Sequence, residues 1–250
     1  MKLKQSIRYQ LEDFQMGILV YYCAAIAMTV LAFLAFAVYP GDSGIRVTGF
    51  SAITSVFLFV CGLCSLHENL PMALQNGVSR KTMFLARLAV TAITSAFCAV
   101  TDHVITAAAN LAASPALGKS VSLLEQLFPG ALPDHPVLSL TVSLLFSFSM
   151  LLLASTLGYC IICLFYRLPV YLRVVVGAAG GILLMFGLPG VKALDTFLFR
   201  EQLRAFCAHY LEPLVNAIVS NPFSLMGSWV LAAGALSGIS WLLLRRAIVR

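Results

Sequence analysis

Residues 16–39 read MGILVYYCAAIAMTVLAFLAFAVY, 24 consecutive residues without a charged side chain. As an α-helix this run is longer than the roughly 30 Å hydrocarbon core of a bilayer. The whole chain has the same character, because 60% of its 250 residues are hydrophobic, 10% are charged and the mean hydropathy is +0.95. A soluble domain carries about 25% charged residues. The composition therefore predicts a membrane protein and excludes a disordered chain, a disulfide scaffold and a coiled coil.

Six apolar runs are long enough to cross the bilayer. They are continuous rather than alternating, which favours helices over barrel strands. Their approximate bounds are Met16–Tyr39, Val47–Leu66, Met83–Ala113, Val137–Phe165, Val170–Leu188 and Phe223–Leu244. We expect an all-α polytopic membrane protein in which residues 1–250 form a single transmembrane domain.

The placement of Lys and Arg predicts the orientation of the chain. With both termini in the cytoplasm, the outer segments hold five basic residues against six acidic ones, and the inner segments hold eleven against three. The eleven are Lys2, Lys4, Arg8, Arg80, Lys81, Arg87, Arg167, Arg173, Arg245, Arg246 and Arg250. We therefore expect an N-in, C-in protein of the plasma membrane.

Three segments outside the spans are predicted to have structure of their own. Residues 1–15 are predicted to form an interfacial helix, because Leu3, Ile7, Leu11 and Phe14 recur at helical spacing among charged residues. The first inner loop, residues 67–82, is long for a link between neighbouring spans. The outer segment 191–222 is predicted to contain one or two short helices, carrying the apolar residues Leu194, Phe197, Leu198, Leu203 and Phe206.

The motifs of catalytic and nucleotide-binding sites are missing. Gly118-Lys119-Ser120 resembles the end of a phosphate-binding loop, but such a loop needs a glycine where this chain has Ala113. The sequence contains no H-E-x-x-H and no G-x-S-x-G motif either. We expect a chain that is not an enzyme and holds no cofactor of its own.

Asp102 and His103 are the only adjacent ionisable residues inside an apolar run. Ionisable groups within a membrane are costly and mark functional sites or wet cavities. The pair therefore borders a transport pathway or, alternatively, lines an outer vestibule. Ser143 and Ser147 belong to a small and polar stripe of the fourth span, which borders the same pathway or forms a helix contact.

The cysteines and glycines of the spans are better explained by helix packing than by metal binding. Cys61-x-x-Cys64 and Cys160-x-x-Cys163 could bring four thiolates to one soft metal ion. Cysteine within apolar turns nevertheless behaves as a small hydrophobic residue, so we expect a structural role and no metal site. The pairs Gly177/Gly181 and Gly234/Gly238 have the G-x-x-x-G spacing that allows close helix approach.

The layout resembles the membrane subunit of an ABC-2-type ABC transporter. The similarity covers the amphipathic segment Lys2–Phe14, six spans with both ends inside, the loop HENLPMALQNGVSRKTMFLARL that begins at His67, and the outer segment ending in Asn221-Pro222-Phe223. This resemblance implies a dimer of permease subunits on two cytosolic ATPase subunits, which bind ATP and Mg²⁺. It also implies that the first inner loop forms a coupling helix against the ATPase.

The residues of this loop suit a short helix. Pro71 can start it, Gly77 can end it in a left-handed conformation, and Ser79 can cap the third span. The predicted ATPase contacts are Leu70, Pro71, Met72, Leu74, Gln75, Asn76, Gly77 and Arg80. Alternatively, the loop is an interfacial anchor whose Arg80 and Lys81 contact anionic lipid.

The predicted function is that of the permease subunit of an ATP-driven exporter, in a homo- or heterodimer and without nucleic acid as a partner. The scarcity of charge in the spans favours an apolar, amphipathic or peptide-like cargo. Two other classes stay open. A non-transporting membrane sensor or immunity protein has the same hydropathy, and a secondary carrier would show midplane ionisable residues or broken helices.

Overall fold

The structure is a computed structural model that describes residues 2–38, 50–66, 75–112, 122–129, 135–169, 171–177 and 217–245. Every regular element within these ranges is helical, which confirms the all-α class for this part of the chain. The helices are α1 (Lys2–Val38), α2 (Phe50–Cys64), α3 (Arg80–Ala112), α4 (Leu123–Leu127), α5 (Pro136–Arg167) and α6 (Pro222–Arg245). Residues 171–177 and 217–219 form shorter helical segments.

Four of these helices, α1, α3, α5 and α6, are long and apolar enough to span a membrane. They correspond to the first, third, fourth and sixth predicted spans. Helix α2 lies within the second predicted span, but its 15 residues reach only about 22 Å. Most of the fifth predicted span and most of the outer segment 191–222 fall within residues 178–216, which lie outside the described residues.

Helix α1 differs from the sequence prediction. Instead of a separate interfacial helix followed by a span, residues Lys2–Val38 form a single helix of 37 residues. The physical reason is visible in the sequence, because this stretch contains no proline and only one glycine, Gly17. Phe14 and Ile18, on either side of the predicted boundary, also pack into the same buried cluster.

Helix α5 is the centre of the bundle and packs against α2, α3, α4 and α6, while α1 packs mainly on α3. Helices α2 and α5 run parallel and come closest at Gly62 and Gly158. A Cβ atom on Gly158 would collide with the carbonyl oxygen of Phe59, and one on Gly62 would stand 2.5 Å from the carbonyl oxygen of Ser155. Only glycine at both positions permits this separation.

The buried core consists of three clusters along the bundle. The central cluster joins α1, α2, α3 and α5 and includes Phe14, Tyr22, Leu58, Val90, Cys98 and Leu151. A second cluster holds Leu66, Met83, Phe84, Tyr159, Cys163 and Leu244, where α2, α5 and α6 end and α3 begins. The third holds Leu124, Val142 and Phe146 at the opposite end.

Basic residues are concentrated at the end of the bundle that holds the second cluster, which we call the basic end. Arg167 and Arg245 lie in the last turns of α5 and α6. Arg80, the first residue of α3, donates from its Nη1 to the carbonyl oxygens of Leu244 and Arg245, at 3.4 and 3.3 Å. Arg80, Arg167 and Arg245 therefore lie at the same end of the described bundle.

The outer surface of the bundle is apolar. Large hydrophobic side chains such as Val137, Leu231 and Leu242 are exposed on helices long enough to span a bilayer. Such a continuous apolar surface is stable only where lipid or another protein covers it. The fold therefore defines the class of the chain as an all-helical membrane protein.

Candidate functional site

Asp102 lies in the interior of the bundle. Its side chain is 1% exposed, on the face of α3 that also buries Thr91, Ser95 and Cys98. These residues recur every three or four positions, so helical periodicity turns all of them toward the neighbouring helices. Asp102 is therefore buried between helices in the described part of the chain.

Side chains from two other helices donate hydrogen bonds to this carboxyl group. The hydroxyl of Tyr22 on α1 donates to Oδ1 at 2.9 Å, and that of Thr54 on α2 donates to the same oxygen at 3.0 Å. The Tyr22 hydroxyl also lies 3.2 Å from the carbonyl oxygen of Cys98. Asp102 thereby connects α1, α2 and α3 through one oxygen atom.

A second tyrosine extends the network. The Tyr21 hydroxyl lies 2.8 Å from Oγ1 of Thr54. A threonine hydroxyl has a single hydrogen, so donation to Asp102 leaves the Thr54 oxygen to accept from Tyr21. The ring of Tyr21 stacks on Phe57 with centroids 4.3 Å apart, which fixes the position of its hydroxyl.

The other carboxyl oxygen, Oδ2 of Asp102, is buried and has no hydrogen-bond partner among the described residues. The other fully buried charged side chain in this part of the chain, Arg87, is about 22 Å away along the same helix. A buried polar atom without a partner is costly, and in a membrane it is a functional hypothesis by default. The arrangement can hold a proton at Oδ2.

His103 does not join this site. Adjacent residues of a helix point about 100° apart, and the half-buried ring of His103 turns away from Asp102. Its Nδ1 lies 2.9 Å from the carbonyl oxygen of Ala99, and its buried Nε2 has no partner among the described residues. The predicted Asp102–His103 pair is thus two separate groups.

The predicted serine stripe of α5 is a packing surface in the described structure. Ser147 accepts a long hydrogen bond of 3.4 Å from Ser51 on α2. Ser143 donates to Ser122 at 3.2 Å, and Ser122 in turn caps the short helix α4. The same stripe continues to Gly158, the point of closest approach to α2. Of the two predicted roles of this stripe, a transport pathway and a helix contact, these contacts favour the helix contact.

The end of the first inner loop has the predicted local structure. Gly77 has φ = +65°, the left-handed conformation that favours glycine. The Ser79 hydroxyl accepts from the Thr82 amide at 3.2 Å and so caps α3. Gln75 and Asn76 are exposed, whereas Leu70, Pro71, Met72 and Leu74 lie outside the described residues.

Arg80 has a protein partner in the described structure, because its guanidinium binds the end of α6 as described above. Carbonyl groups in the last turn of a helix lack intrahelical partners and carry a partial negative charge, so they are good acceptors for arginine. The loop is therefore attached to α6 as well as to α3.

Arg87 forms a buried cluster that sequence reasoning missed. By its position in the sequence Arg87 belongs to the charges of an inner segment, but its side chain is buried between α1 and α5. The guanidinium carbon lies 4.6 Å from the ring centroid of Phe14 and 5.5 Å from that of Tyr159. Contacts between an arginine and aromatic faces stabilise the cation where water is excluded. The Arg87 Nε, the Tyr159 hydroxyl and the Gln10 Oε1 are buried without partners among the described residues.

The four cysteines of the C-x-x-C pairs are free thiols with different surroundings. Cys163 is buried, Cys61 and Cys160 are half-buried, and Cys64 is exposed. Within the residues that the structure describes, no three side chains of His, Cys, Asp or Glu come together as metal ligands.

No protein-family model matches the chain, and neither a curated protein nor a solved structure matches it. The conclusions about its class therefore depend on its own helices and contacts.

Proposed function

We propose that this chain is the permease subunit of an ATP-driven exporter of the ABC-2 type in the plasma membrane. In this proposal it spans the membrane six times with both termini in the cytoplasm and forms the translocation pathway with a second permease subunit. Residues 67–82 contact a separate cytosolic ATPase, which binds ATP and Mg²⁺.

The observation that carries the proposal is the structure at the end of this loop. An exposed turn at Gln75–Gly77 leads into a helix start fixed by Ser79, at the basic end of the bundle. Since Arg80 binds the last carbonyl groups of α6, a force on the turn acts on α3 and α6 together. A loop that contacts an ATPase needs such a rigid connection to the spans.

The glycines of α6 support the pairing of two permease subunits. Around the sites where Gly234 and Gly238 would carry a Cβ atom, no described heavy atom of another element lies within 4 Å. Their G-x-x-x-G face is therefore free within the described bundle and suits close approach by a second subunit.

The test is a double substitution in the loop, Met72→Asp with Leu74→Asp. We expect the permease to insert and fold, but to lose co-purification of the ATPase and transport-coupled ATP hydrolysis. The matched control is Gln126→Asp with Leu127→Asp, which adds two acidic groups to exposed positions of α4 at the opposite end. If the loop variant keeps its ATPase and its activity, the coupling assignment is wrong.

A second candidate is a secondary carrier driven by protons, which the buried Oδ2 of Asp102 favours. The two candidates differ in their energy source. A carrier would transport without an ATPase, would stop when an ionophore collapses the ion gradient, and would lose this dependence in Asp102→Asn. Transport by the ABC-type assembly would follow ATP and tolerate the ionophore.

A further inference from the structure

A groove of about 540 Å³ runs along the outside of the bundle between α1 and α3. One face of α1, from Leu11 through Leu19 to Ile26, forms its first wall, and Ile93 and Phe97 of α3 belong to the second. The volume lies within the range of about 300–1,000 Å³ that is typical of sites for small molecules.

The hydroxyl groups in the walls are already engaged with the protein. Tyr22 donates inward to Asp102, Thr94 bonds to the backbone oxygens of Val90 and Thr91, and Thr101 bonds to that of Phe97. The groove therefore presents apolar carbon to its occupant along most of its length. An apolar chain fits such a surface, whereas a polar ligand would lose its hydrogen bonds there.

The groove has the length and the position of a lipid chain. From Leu11 to Ile26 it extends about 22 Å along α1, and one leaflet contributes about 15 Å of hydrocarbon. Both walls belong to helices that can span the membrane. Leu19 is 60% exposed and Phe97 is 56% exposed, so no described residue covers the groove.

Two basic side chains continue the line of the groove toward the basic end of the bundle. At 100° per residue, Arg8 points within about 20° of Gln15 and Leu19. Lys4 lies one turn before Arg8 and points about 40° away from it. Both side chains are exposed. Glu12 binds Arg8 at 2.7 Å, but this exposed pair contributes little, and Lys4, Arg8 and Glu12 together keep one positive charge.

We propose that the α1–α3 groove is a binding site for an anionic phospholipid from the leaflet at the basic end. One acyl chain occupies the groove, and the phosphate lies beside Lys4 and Arg8. This site goes beyond the transport function proposed above and does not depend on it.

The test uses the full chain in phosphatidylcholine vesicles that contain a trace of phosphatidylglycerol with a diazirine in its acyl chain. After irradiation, mass spectrometry locates the adducts. We expect them to concentrate on groove residues such as Leu19 and Phe97. Phosphatidylcholine carrying the same diazirine chain should give about fivefold fewer adducts there, because basic residues near a headgroup favour an anion by about this factor.

Two variants distinguish the contribution of the acyl chain to lipid binding from that of the headgroup. Leu19→Trp fills the groove and should lower its adducts severalfold, whereas Leu231→Trp changes a comparably exposed leucine on α6 and should leave them unchanged. Lys4→Gln with Arg8→Gln should keep adducts in the groove but bring the two headgroups to equal yield.

Three results would overturn the proposal. Adducts spread evenly over the exposed faces of all helices mean that bulk lipid contacts the protein without a specific site. Equal adduct yields from phosphatidylglycerol and phosphatidylcholine in the unchanged protein mean that Lys4 and Arg8 do not select the headgroup. Adducts elsewhere but none in the groove mean that lipid does not enter the groove.

Discussion

At the scale of single residues, Gly62 and Gly158 determine how closely α2 and α5 approach each other. Gly158→Ala places a Cβ atom against the Phe59 carbonyl oxygen, and backbone cannot move aside as a flexible side chain would. We expect the free energy of unfolding to fall by about 1–3 kcal/mol. Thermal unfolding of the detergent-solubilised protein measures this change.

The control for this substitution is Gly17→Ala, on an exposed face of α1 with open space at the Cβ position. Alanine is the better helix former there, so the melting temperature should stay the same or rise slightly. Equal melting temperatures for Gly158→Ala and the unchanged protein would mean that α2 and α5 are further apart than described.

The Asp102 network gives a second prediction at this scale. Thr54→Val keeps the shape of the side chain but removes the donor to Asp102 and the acceptor for Tyr21. We expect a loss of stability of about 1 kcal/mol, since hydrogen bonds inside membrane proteins contribute about 0.6 kcal/mol on average and two groups lose a partner here. Thr54→Ser keeps the hydroxyl and should retain most of the stability. Equal stability of the two variants would contradict the network.

At the scale of elements, the start of α3 depends on two local interactions. Ser79→Ala removes the hydroxyl that accepts from the Thr82 amide and should cost about 1 kcal/mol. Ser79→Thr keeps a capping oxygen and serves as the control. If both variants melt at the same temperature, the cap does not contribute to stability.

Gly77→Ala tests the turn before this cap. At φ = +65° an alanine costs about 1 kcal/mol, although the space around its Cβ atom is open. Gly227 lies within α6 at an exposed position with open space around its Cβ site. Gly227→Ala should therefore change the stability in the opposite direction and stabilise the protein by about 0.5–1 kcal/mol. Differential scanning calorimetry of the two variants compares them, and a stabilising Gly77→Ala would contradict the turn.

At the scale of the whole molecule, the charge asymmetry predicts accessibility from each side of the membrane. Single cysteines at positions 80 and 173 should react with an impermeant maleimide only after the membrane is opened, and those at 119 and 200 should react in intact cells. Labelling of position 80 in intact cells would contradict the predicted orientation and the coupling role of the loop.

That experiment needs a background without the seven native cysteines. The four cysteines of the C-x-x-C pairs give a prediction of their own. Replacing Cys61, Cys64, Cys160 and Cys163 by alanine should leave the assembly folded and active within a few-fold, with the main packing cost at the buried Cys163. Elemental analysis of the unchanged protein and the variant checks the alternative, because loss of a stoichiometric metal would assign a ligand role to these thiols.

Much of the element layout was predictable, because it depends on local sequence. The thickness of the bilayer sets the length of an apolar run, which explains the agreement for α1, α3, α5 and α6. Gly77 and Ser79 act on their immediate neighbours, so their roles could also be predicted. The continuity of α1 was missed because a polar and an apolar segment were treated as separate helices, although no helix breaker separates them.

The site was less predictable, because its partners come from distant parts of the chain. Tyr22 and Thr54 lie 80 and 48 positions from Asp102, and no spacing rule connects them. The close approach of Gly62 to Gly158 similarly depends on which helices become neighbours. A polar residue within an apolar run, such as Thr54, was the available signal for the Asp102 network. Glycine within a span was the available signal for the close approach of α2 and α5.

The bond between Arg80 and the end of α6 also has a consequence for biosynthesis. Its two carbonyl acceptors lie 164 and 165 positions after Arg80. At about 5–20 residues per second, the ribosome needs roughly 8–30 s to add that length of chain. During this interval α3 can be inserted while its first residue still lacks these acceptors. The contact therefore closes only after the last turn of α6 has been synthesised, and a nascent chain that stops before this turn never acquires it.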